Sequence, residues 1–87
     1  MADTIKDKLM AQYIDECNGI VEYSAIHKML IEENCDPKYS AMIKAIVKDE
    51  YQHQRELFHI LTDMGAFVPD GVKNAMTKAD EAYDSIR

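Results

Sequence analysis

The residues best suited to chemistry are in the second half of the chain, where Glu50-Tyr51-Gln52-His53 forms an E-x-x-H unit. This spacing places a carboxylate and an imidazole side by side on a helix, so both can bind one metal ion. On a helical wheel Glu50 falls in the middle of an apolar stripe, with His53 about 60° away. The stripe comprises Tyr39, Ile43, Ile46, Val47, Leu57, Ile60, Leu61 and Met64. Because an unpaired carboxylate is costly to bury there, a compensating cation is expected.

A second E-x-x-H unit, Glu56-Leu57-Phe58-His59, begins six residues after the first. Glu56 and His59 lie about 120° or more from the centre of the apolar stripe, at 100° per residue. Their neighbours on the wheel are Lys48, Gln52, Arg55 and Asp63. This copy is therefore predicted to belong to a solvated polar face.

The missing ligand should come from the preceding segment, which offers two candidates. Folding a hairpin about residues 35–36 brings residue i opposite about 71 − i, so Glu50 would face position 21 and His53 position 18. Glu22 lies at this level, on a face with Ala25, Ile26 and Met29. Glu16 is the other candidate and lies on a second stripe. That stripe contains Ile5, Leu9, Tyr13, Ile20, Tyr23 and His27. The wheel alone leaves the choice open.

The elements that position these residues are predicted to be helices, so the fold class is all-α within a single domain, 1–87. A long helix is expected over 3–33, a break at Asn34-Cys35-Asp36-Pro37, and a second helix over 37–64 that ends at Gly65. After a turn at 67–71, a short third helix is expected over 72–86. The short first loop forces an antiparallel hairpin. Its uncovered apolar surface should make it associate.

Composition excludes several classes of function. The 87 residues carry 16 Asp and Glu against 10 Lys and Arg, a net charge of −6, which argues against nucleic-acid binding. No apolar run approaches the ~20 residues of a membrane span, and the start lacks the apolar core of a signal peptide. Cys17 and Cys35 would be separated by about 27 Å along the first helix at 1.5 Å per residue, so they cannot form a disulfide within the chain. A cytoplasmic location is expected.

One glutamate from the first helix and one E-x-x-H unit from the second make half of a carboxylate-bridged dimetal site in a four-helix bundle. Half a site implies two chains. In a homodimer, or a higher homo-oligomer, four carboxylates would balance two divalent cations.

Three segments together resemble the ferritin-like superfamily over about residues 15–65. They are Glu22-Tyr23-Ser24-Ala25-Ile26, the Asp36-Pro37 loop, and Ala45 to His53 followed by Glu56-Leu57, which are similar to the E-x-x-A-I and D/E-E-x-x-H patterns. With one hairpin instead of two, the chain looks closest to the short encapsulated ferritins, with rubrerythrin-like proteins as longer relatives.

The resemblance implies that Glu22, Glu50 and His53 are the metal ligands and catalytic residues of a diiron ferroxidase centre between two subunits. It implies two Fe ions per dimer interface, with Mn or Zn as substitutes, and oxidation of Fe(II) by dioxygen or peroxide for iron storage. It also implies an encapsulin shell as a partner and residence inside a protein nanocompartment.

The chain departs from the family pattern in two places. Family members often carry a Tyr seven residues after the first ligand, where Met29 follows Glu22, and residues 82–87 do not resemble a targeting peptide. Two competing functions remain open. One is a non-catalytic helical interaction module, and the other is a different dimetal-carboxylate oxidase, such as a peroxide-scavenging rubrerythrin-like protein.

Overall fold

A computed structural model describes residues 4–66 and 68–87, and within these ranges the chain forms three α-helices and no strand. They are α1 (Ile5–Glu32), α2 (Pro37–Asp63) and α3 (Asp70–Ile86). The all-α prediction is confirmed, and the ends of the helices lie within two residues of those expected. The expected start of the first helix at Asp3, and Phe67 of the predicted turn, lie outside the described residues.

Local capping explains where α1 and α2 begin. Thr4 and Asp7 form a reciprocal capping box, in which each side chain accepts a hydrogen bond from the other residue's backbone N–H at 3.2 Å. The Asp36 carboxylate accepts from the Lys38 N–H at 3.0 Å, and Pro37 occupies the first helical position, where its missing N–H costs nothing.

Both long helices end in a left-handed residue, Asn34 with φ 54° and Gly65 with φ 68°. In the second case Ala66 N–H donates to Leu61 O at 2.9 Å and Gly65 N–H to Thr62 O at 3.0 Å. This is a Schellman motif, which favours glycine because a Cβ is strained at positive φ.

Gly65→Ala is therefore expected to lower the free energy of unfolding by about 1 kcal/mol. Gly71→Ala is the matched control, because Gly71 lies in α3 without a positive φ and with nothing within 4 Å of an added Cβ. Denaturant unfolding should show a loss for the first variant and no loss for the second. Equal changes would show that the left-handed cap does not limit stability.

The two long helices pack as an antiparallel hairpin. The rings of Tyr13 and Phe58 lie 5.8 Å apart, Glu16 contacts His53, and Gly19 lies against Glu50. The hairpin count predicts that the residue numbers of facing pairs add to about 71. In these three pairs they add to 71, 69 and 69. The expected register is therefore met at the Tyr13 level and is two residues away from it at Glu50.

Helix α3 returns along one side of the hairpin, mainly against α1. The Ser24 hydroxyl donates to the Ala82 carbonyl at 3.4 Å, and the Tyr51 and Tyr83 rings stack at 4.0 Å. The buried hydrophobic core consists of Tyr13, Cys17, Ile20, Val47, Leu61, Val72, Ala79 and Ile86. The α1 stripe that includes Tyr13 and Ile20 is thus covered within the chain.

On the opposite side of the hairpin, none of the three described helices covers the surface. Its apolar residues are exposed by between 37% and 63% of their surface. They are Ile26, Met29, Tyr39, Met42, Ile46 and Ile60, and we call this surface the open face. An exposed apolar strip on one side of a bundle marks a surface for association.

Among the helices of residues 4–66 and 68–87, none is long and apolar enough to cross a membrane. Both cysteines are free thiols, Cys17 in the core and Cys35 exposed at the hairpin loop.

Candidate metal half-site

Glu50 lies where α2 crosses the middle of α1. It is partly buried, and its carboxylate rests against the backbone of α1 at Gly19. The apolar stripe predicted around Glu50 therefore faces the hairpin seam and the open face. A carboxylate in this position is partly removed from water.

Glu16 and His53 complete a cluster with Glu50, which we call the half-site. The His53 Nδ1 atom lies 3.8 Å from the Glu16 Oε1 atom. The Glu16 side chain is 17% exposed and that of His53 is 57% exposed. The carboxylate thus comes from inside the seam and the imidazole from its edge.

Burial and repulsion from two neighbouring carboxylates raise the pKa of Glu50, because both disfavour the charged form. Burial is the larger, followed by repulsion from the Glu16 carboxylate, with a smaller repulsion from Glu22, whereas His53 acts in the opposite direction. Within residues 4–66 and 68–87, neither Glu16 nor Glu50 forms an ion pair with a lysine or arginine. Their negative charge has only His53 beside it.

Glu22 is exposed, and it lies six residues from Glu16, about 120° around α1. Its charge reaches Glu50 as the weakest of the three unfavourable influences. Of the two first-helix candidates that the sequence left open, the fold brings Glu16 beside His53. Two sequence features accompany Glu16: Gly19 three residues later, facing Glu50, and Tyr23 seven residues later.

The second E-x-x-H unit lies apart from the half-site. Glu56 and His59 are exposed, and each of them contacts a side chain four residues away on α2. Gln52 Nε2 donates to Glu56 Oε1 at 3.1 Å, and His59 Nε2 lies 3.2 Å from Asp63 Oδ2. These contacts are those of a solvated helix face.

In the part of the chain that the structure describes, no three His, Cys, Asp or Glu side chains are arranged to hold a metal ion. The half-site provides two carboxylates and one imidazole that are near one another but not converged on one point.

Comparison of the chain with protein-family models, with curated proteins and with solved structures gave no match.

The electrostatic destabilisation of the folded state by the Glu50 carboxylate can be measured in the metal-free protein. Glu50→Gln is expected to raise the free energy of unfolding of the metal-free protein at pH 7 by about 0.5–1 kcal/mol, because it removes a partly desolvated, repelled charge. Asp49→Asn, an exposed neighbour with the same charge change, should have little effect.

The gain in the free energy of unfolding caused by Glu50→Gln should decrease as the pH falls. A raised folded-state pKa means that the folded protein binds the proton more readily than the unfolded chain, so the penalty applies above that pKa. It should disappear as the pH falls through the folded-state pKa towards the unfolded value near 4.3. Denaturant unfolding between pH 7 and 4 that showed a constant difference would contradict this electrostatic account.

Proposed function

We propose that the chain is a ferritin-like half-bundle that dimerises through its open face and oxidises Fe(II) between the two subunits. In this proposal each subunit contributes Glu16, Glu50 and His53. Glu16 replaces Glu22 as the first-helix ligand. Fe(II) is the substrate, bound as two ions per dimer.

The observation that carries the proposal is the pair of carboxylates in the hairpin seam. Glu16 and Glu50 are both partly buried and repel each other, and His53 contacts Glu16 and offsets part of the unfavourable charge at Glu50. Such a pair destabilises a metal-free chain, and natural proteins retain costly charge clusters chiefly where a site uses them. A divalent cation would turn this repulsion into attraction.

The donor set fits iron. Carboxylate oxygen and imidazole nitrogen suit Fe and Mn, and also Zn, whereas the half-site contains no thiolate for softer metals. Two half-sites supply four carboxylates, whose charge equals that of two divalent cations. Binding of metal and association of two chains would therefore stabilise each other.

The position of His53 links the half-site to the open face. His53 is seven residues from both Ile46 and Ile60, so all three lie on nearly the same side of α2. Ile46 and Ile60 are exposed apolar residues of the open face. A second chain packed there would cover the imidazole, bring its own half-site close, and exclude water from both.

In this arrangement the protein's residues bind and orient, and the bound iron supplies the electrons that reduce dioxygen or peroxide. Glu16, Glu50 and His53 of each chain would hold the two ions. The added negative charge of the carboxylates would favour the ferric product over Fe(II). The apolar residues of the open face would restrict access of solvent.

One feature of the ferritin-like pattern, the tyrosine after the first ligand, fits Glu16. With Glu16 as the first ligand, the place seven residues later is Tyr23, the residue type that family members often carry there. Glu22 leaves Met29 at that place. The E-x-x-A-I pattern favours Glu22, whereas the tyrosine position and the contact with His53 favour Glu16.

The test is Fe(II) oxidation by the purified protein, with Glu16→Ala and Glu22→Ala as a matched pair. The wild type is expected to oxidise Fe(II) faster than buffer does, Glu16→Ala to lose at least about tenfold of the rate, and Glu22→Ala to keep most of it. A larger loss in Glu22→Ala would restore Glu22 as the ligand. A wild-type protein that neither binds nor oxidises iron would favour the helical interaction module.

A further inference from the structure

Gly19 lies in the interior of the 28-residue helix α1, at the place where α2 crosses it. Glycine is the least favourable residue inside a helix except proline. Gly19 does not have a positive φ, unlike Gly65, so the backbone conformation does not require glycine here. The reason for glycine must be the space above it.

That space is occupied by the carboxylate of Glu50. A Cβ at position 19 would overlap Glu50 Oε2 and would lie 3.0 Å from its Cδ and 3.2 Å from its Oε1. By contrast, an added Cβ at Gly65 or Gly71 would have nothing within 4 Å. Among the three glycines, Gly19 alone accommodates a functional group of another helix.

We infer that Gly19 is a positioning residue for Glu50, because the missing side chain lets the carboxylate rest on α1 beside Glu16. This inference rests on the proposed function for its effect on iron, but the contact itself does not. The Glu50 carboxylate is the far end of a flexible side chain, so a methyl group at position 19 would displace it without unfolding the helix. A displaced carboxylate would no longer share the seam with Glu16 and His53.

The variant Gly19→Ala separates positioning from stability, because the two should change in opposite directions. Anaerobic titration with Fe(II) is expected to show binding weaker by about tenfold or more. Thermal unfolding should show no loss, since alanine is the better helix former. Gly71→Ala, the same change at an open position, should leave Fe(II) binding unchanged. Wild-type Fe(II) affinity in Gly19→Ala would overturn the inference.

A second measurement tests the contact without metal. In the metal-free protein, the change in Tm caused by Gly19→Ala is compared between the wild-type and Glu50→Ala backgrounds. If the carboxylate occupies the space above Gly19, the two changes should differ by about 4 °C. Equal changes would overturn the inference. Failure of the wild type to bind Fe(II), together with unequal changes, would reject the proposed function and retain the role of Gly19.

Discussion

Glu50→Ala is expected to lower the rate of Fe(II) oxidation by about a hundredfold or more, the largest effect of any single substitution in the half-site. Glu50 is at the centre of the seam, so its loss removes the carboxylate that rests against α1 at Gly19. Loss of even a supporting group around a metal typically costs 10–100-fold in affinity or activity. Stopped-flow measurement of Fe(II) oxidation under air would give the rate.

The control for this loss is Glu56→Ala. Glu56 belongs to the same type of E-x-x-H unit on the same helix, but it is exposed and accepts a hydrogen bond only from Gln52. It should retain the wild-type rate and iron content. If Glu50→Ala and Glu56→Ala were equally active, Glu50 would have no role in iron oxidation.

Met42→Lys is expected to convert the proposed dimer into monomers. Met42 is 63% exposed in the single chain, on the open face next to Ile46. A second copy over this face would bury the lysine without a partner, at a cost of about 3 kcal/mol or more, which is over a hundredfold in the dissociation constant. In the proposed function each half-site needs the other chain, so loss of the dimer should also lower the rate of Fe(II) oxidation. Sedimentation velocity would measure the oligomeric state.

Ile31→Lys is the matched control for the open face. Ile31 is 56% exposed on α1, but it lines the groove between α1 and α3, beside Ala82 and Ile86. The substitution adds the same charge on the covered side of the hairpin and should leave the dimer intact. A protein that is monomeric in both variants, or a dimer unaffected by Met42→Lys, would show that the open face is not the interface.

Much of the fold could be predicted because the signals are local. Thr4 with Asp7, and Asp36 with Pro37, start the two long helices through contacts within one turn. Gly65 ends the second through its own positive φ. A short loop between two such helices leaves only an antiparallel hairpin. None of these steps requires knowledge of distant contacts.

The choice between Glu16 and Glu22 needed more than local information. The register between α1 and α2 is set by the packing of the two helices along their whole length, not by the loop alone. Gly19 lies against Glu50, two residues from the position that a simple hairpin count gives. A shift of two residues is enough to exchange one candidate carboxylate for another.

The packing of α3 was likewise a long-range property. Its sequence predicts a helix, but its main contact is with α1, more than 40 residues earlier, through pairs such as Ser24 with Ala82. By covering the stripe with Tyr13 and Ile20, α3 leaves the other side as the open face. Only the assembled chain therefore distinguishes the internal stripe from the surface available to a partner.

The central claim, a metal centre shared by two chains, is tested most directly by the iron content of the separated oligomers. The protein is loaded with Fe(II) without oxygen and resolved on a sizing column with iron analysis of each fraction. The account predicts two iron ions per dimer, none on the monomer, and a larger dimer fraction after loading. Iron bound to monomers, or dimers that remain free of iron, would contradict it.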